Sequence, residues 1–191
     1  FAEGVCHIIE EECINGTDRI IHFLNNNIEY NDYNMIVNVQ GDEPFIDIEN
    51  IHYAINNYVI KNQEDKNVVC STIYYNTFNN MEIMSKSRVK LVLDKKNNIM
   101  YGSRTVIPSN KNYNINENIC YNIHIGLFVF NRDYLVNKFS LEDTPNQLSE
   151  DIEWLKIIEQ GYKINATYVN EHEIGIDTSR DYIYLKNKYE K

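Results

Sequence analysis

The chain has 191 residues, a formal net charge of −10 and 43% hydrophobic residues. This length fits one domain with a sizeable core, and no apolar run reaches the ~20 residues that cross a bilayer. An acidic surface repels the backbone of DNA or RNA, although a local pocket can still accept a nucleotide. We therefore expect a single soluble domain over residues 1–191, with no nucleic-acid or membrane partner.

The four cysteines are too irregularly spaced for a zinc site or a disulfide framework. They are Cys6, Cys13, Cys70 and Cys120. Buried free thiols are typical of a reducing compartment, and no secretory leader is visible. The predicted location is the cytoplasm.

The first half of the chain alternates strand and helix patterns. The run 35–40, MIVNVQ, is short, β-branched and followed by Gly41, which is typical of a buried strand. Asp47 can cap a helix. The apolar residues of this helix recur at helical spacing: Ile48, Ile51, Ile55 and Tyr58. A second strand is predicted over 68–74.

A β-hairpin is predicted in the middle of the chain. The runs 89–93 and 99–103 flank the polar segment 94–98, DKKNN. A long strand over 119–130 follows, and then a short helix through Tyr134.

The last third is predicted to hold a loop, two helices and a strand. Residues 141–148 indicate a polar loop, and Ser149 indicates the cap of a helix. A strand is predicted over 163–169, and Thr178 or Ser179 can cap the last helix. Strands that alternate with helices predict an α/β fold, with a mixed, mostly parallel sheet flanked by helices and an inserted hairpin.

The segment 37–44, VNVQGDEP, places an acidic residue at the end of a predicted strand. Ligands of open α/β sheets bind beyond the carboxyl ends of strands. Gly41 permits a sharp turn there, and Asp42 can hold a hard cation through its carboxylate. Gly-Asp-x-Pro is also common in ordinary turns, and composition alone favours that alternative.

A second aspartate, Asp177, directly precedes the last predicted helix in the segment 173–178, EIGIDT. It can be a helix cap, or it can share one Mg²⁺ with Asp42, because Mg²⁺ usually takes one or two carboxylates plus phosphate oxygens and waters. The residues alone leave both interpretations open.

Six short segments together resemble signatures of the 3-deoxy-manno-octulosonate cytidylyltransferase (CMP-KDO synthetase) family. NVQGDEP at 38–44 is the most specific of them. The others follow in the family's order: NGTDR at 15–19, VKLVLD at 89–94, SRTVIP at 103–108, HIGLF at 124–128 and GIDT at 175–178.

This resemblance implies a Rossmann-like nucleotide-diphospho-sugar transferase fold, a homodimer, and a reaction of CTP with a 2-keto-3-deoxy sugar acid that gives a CMP-sugar and pyrophosphate. It implies Mg²⁺ as the cofactor, held by Asp42 and Asp177 as the catalytic pair. The residues implied to contact the sugar acid are Gln40, Arg104, His124 and Glu153. Those implied near the junction of nucleotide and sugar are Arg19, Gly16 and Thr17.

Simpler interpretations exist for several of these residues. His124 can be a satisfied strand histidine, Glu153 a solvated glutamate, and Arg19 a surface residue on the first turn of a helix. Without the resemblance, the simpler interpretation is favoured for His124 and for Glu153.

The chain departs from the family pattern in two places. We expect it to lack the first strand and the basic phosphate-binding loop, as a partial sequence would. Phe128 stands where the family has tyrosine, and Trp154 where it usually has glutamine, so the sugar acid can differ from the standard octulosonate. Alternative functions are CMP-sialic acid synthesis and non-catalytic binding of a sugar nucleotide; a glycosyltransferase would need a DxD-type pair that is not present.

Overall fold

A computed structural model describes residues 4–112, 114–139, 142–170 and 172–190. Its strands are β1 Met35–Val39, β2 Val68–Thr77, β3 Lys90–Leu93, β4 Ile99–Ser103, β5 Tyr121–Asn131 and β6 Lys163–Tyr168. Its α-helices are α1 Gly16–Asn26, α2 Ile48–Glu64, α3 Asn80–Met84, α4 Arg132–Tyr134, α5 Pro145–Glu150, α6 Leu155–Glu159 and α7 Ser179–Tyr189. A 3₁₀ turn spans Ile28–Tyr30, and a π-helix spans Leu135–Phe139.

The six strands form one sheet in the order β4-β3-β5-β2-β6, with β1 also paired to β5. The predicted mixed α/β arrangement is confirmed, but the expectation of mostly parallel pairing is wrong. The β2–β6 pair is parallel, whereas β5 is antiparallel to β1, β2 and β3, and β3 is antiparallel to β4. The reason is the central position of β5, which runs against all three of its neighbours.

Each face of the sheet carries its own hydrophobic core. On one face, Ala54 and Tyr58 of α2 pack with Ile73, Ile125 and other residues of β2 and β5. On the opposite face, buried residues of α1, the π-helix and α6 pack against the sheet. The helix residues include Ile21, Leu24, Leu135, Phe139, Leu155 and Ile157, and the sheet contributes Phe128 and Phe130 of β5. One edge of β5, where β1 and β3 pair with it, carries the cavity that is the candidate site.

Two predicted helix caps are confirmed and one is wrong. Asp47 accepts the Glu49 N–H at 2.8 Å, and Thr178 caps α7. Ser149 caps no helix because it lies inside α5, which begins earlier, at Pro145. The N–H groups at the start of α5 are satisfied by the Glu159 carboxylate of α6, a partner distant in sequence.

The four cysteines are all free, as expected, but only Cys70 is buried, and Cys6 and Cys120 are exposed. The expectation of buried thiols is therefore wrong for these two. Among the residues that the structure describes, no helix is long and apolar enough to cross a membrane.

Candidate functional site

A break in the sheet creates the candidate site. On one edge of β5, β1 pairs with residues 127–131 and β3 pairs with residues 122–123. Between these two pairings, the Gln40 N–H donates to the Gly126 carbonyl at 3.0 Å, and the His124 N–H donates to the Val89 carbonyl at 3.0 Å. A cavity of about 980 Å³ opens beside this break and extends toward α1, α5 and α6.

The two predicted metal ligands both line this cavity. The Ile176 N–H donates to the Asp42 carbonyl at 2.7 Å, so the segment that carries Asp177 is joined directly to the segment that carries Asp42. Burial raises the pKa of Asp177, and the negative charge of Asp42 raises it further. Two aspartates that lie 135 positions apart (177 − 42) therefore act electrostatically on each other.

Glu43 is a third acidic residue of this region that was not among the site residues predicted from the sequence. Its Oε1 accepts the Gly126 N–H at 3.1 Å. Burial, followed by the charges of Asp42 and Asp177, raises the pKa of Glu43 to about 7. The signal was present in the sequence, because Glu43 belongs to the same QGDEP segment as Asp42.

Two glycines permit close contacts in this region. A Cβ on Gly126 would overlap the side chain of Gln40, so the predicted sugar-binding Gln40 lies directly against β5. A Cβ on Gly175 would lie 3.1 Å from Glu43 Oε1 and 3.2 Å from the Asp42 carbonyl oxygen. The absence of these side chains lets the GIDT and QGDEP segments approach each other.

His124 lies on the cavity between aromatic side chains. Its ring centroid is 4.9 Å from that of Phe128 and 5.6 Å from that of Trp154. Its Nε2 is 2.9 Å from the hydroxyl of Thr72, a fully buried residue of β2. Burial lowers the pKa of His124 to about 3, so the imidazole is neutral at physiological pH.

Arg104 also lines the cavity, but backbone carbonyls already occupy much of its guanidinium. Nε donates to the Glu150 carbonyl at 3.0 Å, and the two terminal nitrogens donate to the carbonyls of Lys86 at 3.1 Å and Asp151 at 2.8 Å. Because a guanidinium has five N–H donors, a minority of them is left for a ligand. The predicted contact between Arg104 and a sugar carboxylate stays a prediction.

Glu153 is a predicted sugar-binding residue with an unsatisfied hydrogen-bonding atom. Its Oε1 is buried and has no hydrogen-bond partner among the described residues, while its carboxylate is hydrogen-bonded to Thr17 of α1. Burial raises the pKa of Glu153 to about 6, and the hydrogen bond from Thr17 works in the opposite direction. A ligand hydroxyl in the cavity would satisfy the unpartnered oxygen.

We predict that Glu153→Gln stabilises the free protein by about 1–2 kcal/mol at pH 7.5 and leaves its stability nearly unchanged at pH 4. The folded state binds the Glu153 proton more tightly than the unfolded state, since the pKa rises from 4.5 to about 6. Stability contributed by this group therefore falls as pH rises through 4.5–6. Because the glutamine side chain does not titrate, Glu153→Gln removes this loss of stability with rising pH.

Urea denaturation at the two pH values measures this effect, with Glu10→Gln as the control at an exposed position. Equal stabilities of wild type and Glu153→Gln at pH 7.5 would contradict the prediction. So would a stabilisation of the same size at pH 4.

Two of the predicted residues are not brought to the cavity. Arg19 is exposed on α1 and donates to the Ile9 carbonyl at 2.7 Å, and Gly16 is exposed at the start of the same helix. Neither is among the described residues that line the cavity, whereas Thr17 is buried and lines it. The predicted roles of Arg19 and Gly16 near the nucleotide stay predictions.

The segment before β3 also contributes to the cavity, although none of its residues was predicted as a site residue. Ser87 and Arg88 line the cavity, and Ser87 is hydrogen-bonded to Asp177. Arg88 donates from Nη1 to the Tyr75 hydroxyl at 3.2 Å, and its positive charge lowers the pKa of Glu43 and of Asp177. No pattern in this polar segment distinguishes these two residues from an ordinary loop.

The acidic side of the cavity fits a cation that keeps part of its own hydration shell. Among the described residues, no group of three or more His, Cys, Asp or Glu side chains could hold a metal ion. The carboxylates of Asp42 and Asp177, which line one cavity, would instead match the one or two carboxylate ligands that Mg²⁺ usually takes when substrate phosphates and waters complete its shell. The residues present therefore fit Mg²⁺ and not a closed zinc site.

Comparisons with known proteins show which family this chain belongs to. A model of a family described as cytidylyltransferase matches residues 1–182. A 3-deoxy-manno-octulosonate cytidylyltransferase of Protochlamydia amoebophila is 37% identical over 93% of this chain and 67% of its own length. One of Fusobacterium nucleatum is 35% identical over 87% of this chain and 64% of its own length.

A solved structure shows the same fold. It is that of a CMP:2-keto-3-deoxy-manno-octonic acid synthetase complexed with CTP, with a TM-score of 0.76 and 24% identity. The match covers 92% of this chain and 68% of that chain. The chain therefore spans about two thirds of the length of the proteins that it matches.

Proposed function

The chain belongs to the cytidylyltransferase family, and from that premise we propose that its protein transfers CMP from CTP to a 2-keto-3-deoxy sugar acid of the 3-deoxy-manno-octulosonate type. The sugar's anomeric oxygen forms a bond to the α-phosphorus of CTP. The bond from that phosphorus to pyrophosphate breaks, and the hydroxyl proton is released.

The observation that carries this proposal is the convergence of two distant aspartates on one cavity that also holds the predicted sugar-binding side chains. Asp42 and Asp177 lie on the acidic side, and Gln40, His124 and Glu153 line the same space. In phosphoryl transfer, most of the catalytic effect comes from positioning and from neutralising charge. A cavity with both kinds of residue can therefore align a sugar hydroxyl with a nucleotide phosphate.

Asp42 and Asp177 would hold Mg²⁺, which when bound neutralises phosphate oxygens and lowers the pKa of the attacking hydroxyl. The chain's own contribution on this side is to keep two carboxylates together despite their repulsion. The Ile176–Asp42 backbone hydrogen bond and the Ser87–Asp177 hydrogen bond both do this.

Other residues that line the cavity would bind the sugar acid. Glu153 offers an unpartnered carboxylate oxygen to a sugar hydroxyl, and Arg104 offers positive charge to the sugar carboxylate. Phe128 and Trp154 replace side chains that could form hydrogen bonds, so this region is more apolar than the family pattern. We keep the hypothesis that an amino or deoxy 2-keto acid replaces the standard octulosonate.

The test is to incubate the protein, at the full length of its gene, with CTP, Mg²⁺ and a panel of 2-keto sugar acids. We expect formation of a CMP-sugar, followed by ³¹P NMR, and an equal amount of pyrophosphate. A preference for the standard octulosonate would end the hypothesis of a variant sugar. A preference for a sialic acid would support the CMP-sialic acid alternative, and binding without turnover would support a non-catalytic role.

The homodimer that the family resemblance implies also stays a proposal.

A further inference from the structure

Thr72 lies on β2 and has two hydrogen-bond neighbours. Its Oγ1 is 2.6 Å from the Leu127 carbonyl oxygen and 2.9 Å from His124 Nε2. A hydroxyl has one proton to donate, and a carbonyl can only accept. The Thr72 proton therefore goes to Leu127, and the Thr72 oxygen must accept a proton from His124.

This assignment determines the tautomer of His124. Nε2 carries the proton, because it donates to Thr72 Oγ1. The imidazole is neutral in its buried setting, so Nδ1 carries a lone pair and can only accept. The described residues place no hydrogen-bond donor on Nδ1, and His124 lines the cavity.

We propose that Thr72 is a positioning residue that holds His124 in the Nε2–H form, so that the cavity presents an acceptor nitrogen to a hydroxyl donor of the ligand. The inference about the ligand rests on the proposed function, whereas the tautomer rests on the geometry of Thr72, Leu127 and His124 alone. The site would then select a sugar with a free hydroxyl at this position and reject one with an acceptor there. Phe128 and Trp154 pack beside the His124 ring, with centroids 4.9 and 5.6 Å from it.

The first experiment reads the tautomer directly. ¹⁵N NMR of histidine-labelled protein, with the His124 signals assigned from a His124→Asn sample, is expected to show neutral Nε2–H imidazole at pH 7. Thr72→Ser keeps the hydroxyl and should keep this tautomer. Thr72→Val removes both hydrogen bonds and should give a mixture of the two neutral forms. An Nδ1–H or doubly protonated His124 in the wild type overturns the proposal, whatever the protein's activity.

The second experiment tests the ligand. Sugar-acid substrates in which one hydroxyl at a time is replaced by fluorine keep an acceptor but lose the donor. We expect one of these replacements to raise KM at least tenfold in the wild type and in Thr72→Ser, and less than threefold in Thr72→Val. If every replacement has the same effect in Thr72→Val as in the wild type, Thr72 does not act through ligand recognition.

The two experiments separate the possible failures. If no CMP-sugar forms from any substrate, the proposed function fails while the NMR result still decides the tautomer. If CMP-sugar forms and the NMR shows the wrong tautomer, this inference fails and the proposed function stands. Thermal melting of Thr72→Val shows whether the variant is folded, and the wild-type NMR result decides the proposal even if it is not.

Discussion

Asp42→Asn and Asp177→Asn are each expected to lower CMP transfer by about 1,000-fold or more at saturating CTP and Mg²⁺. Both carboxylates line one cavity, and each would supply an anionic oxygen to the same cation. An amide keeps the size and shape of the side chain but removes the charge that holds a hard divalent ion. Pyrophosphate release from CTP and sugar acid is the readout.

The same variants should be folded, and Asp177→Asn should be at least as stable as the wild type. Burial and the charge of Asp42 raise the pKa of Asp177, so the ionised Asp177 is disfavoured by its surroundings in the absence of a cation. Asp32→Asn, at an exposed position, is the matched control and should keep full activity. Wild-type turnover by either site variant would refute the assignment of the cation site.

Lys90→Met is expected to destabilise the protein by about 3 kcal/mol or more. Lys90 is fully buried, and its Nζ donates to the carbonyls of Ser85 at 2.7 Å, Arg88 at 2.7 Å and Arg104 at 2.6 Å. Methionine fills a similar volume but leaves three carbonyls without this donor. Burial, followed by the charge of Arg104, lowers the pKa of Lys90 to about 8.

Thermal and urea denaturation measure this loss, which corresponds to a decrease in Tm of about 6–12 °C for a domain of this size. Lys186→Met is the control. Lys186 lies on the surface of α7 in an i,i+4 pair with Glu190, so this substitution should change stability by less than about 0.5 kcal/mol.

Lys90 connects the segment before β3 to the residue after β4, and both line the cavity. The fraction of Lys90→Met protein that still folds should therefore also show a raised KM for the sugar acid. A Tm of Lys90→Met within 2 °C of the wild-type value would contradict the expectation, because it corresponds to a loss of stability of about 1 kcal/mol or less.

The convergence of Asp42 and Asp177 on one cavity was one of the interpretations that the sequence left open, and its signals are local. A strand that ends in Gln-Gly-Asp and a helix that begins after Asp177 are both visible in short segments. The rule that strand ends meet ligands then suggests that the two aspartates converge. The resemblance of the QGDEP and GIDT segments to one family pointed the same way, and the family is confirmed.

The features that could not be predicted depend on partners that are distant in sequence. Arg104 is held by carbonyls at 86, 150 and 151, so its occupied guanidinium is invisible from the segment SRTVIP. Lys90 resembles a solvated strand lysine until the fold surrounds it. The start of α5 was misplaced for the same reason, because Glu159 from the next helix satisfies its first N–H groups.

The interrupted pairing along β5 has a mechanical consequence. Within the described part of the chain, β1 and β3 are attached to the same strand but not to each other. The QGDEP segment after β1 and the β3–β4 hairpin are therefore joined to β5 by separate backbone pairings. Substitutions in the hairpin should therefore leave the pairing of β1 with β5 intact. Paired substitutions, one on each side of the break, should combine additively in free energy where their side chains share no contacts.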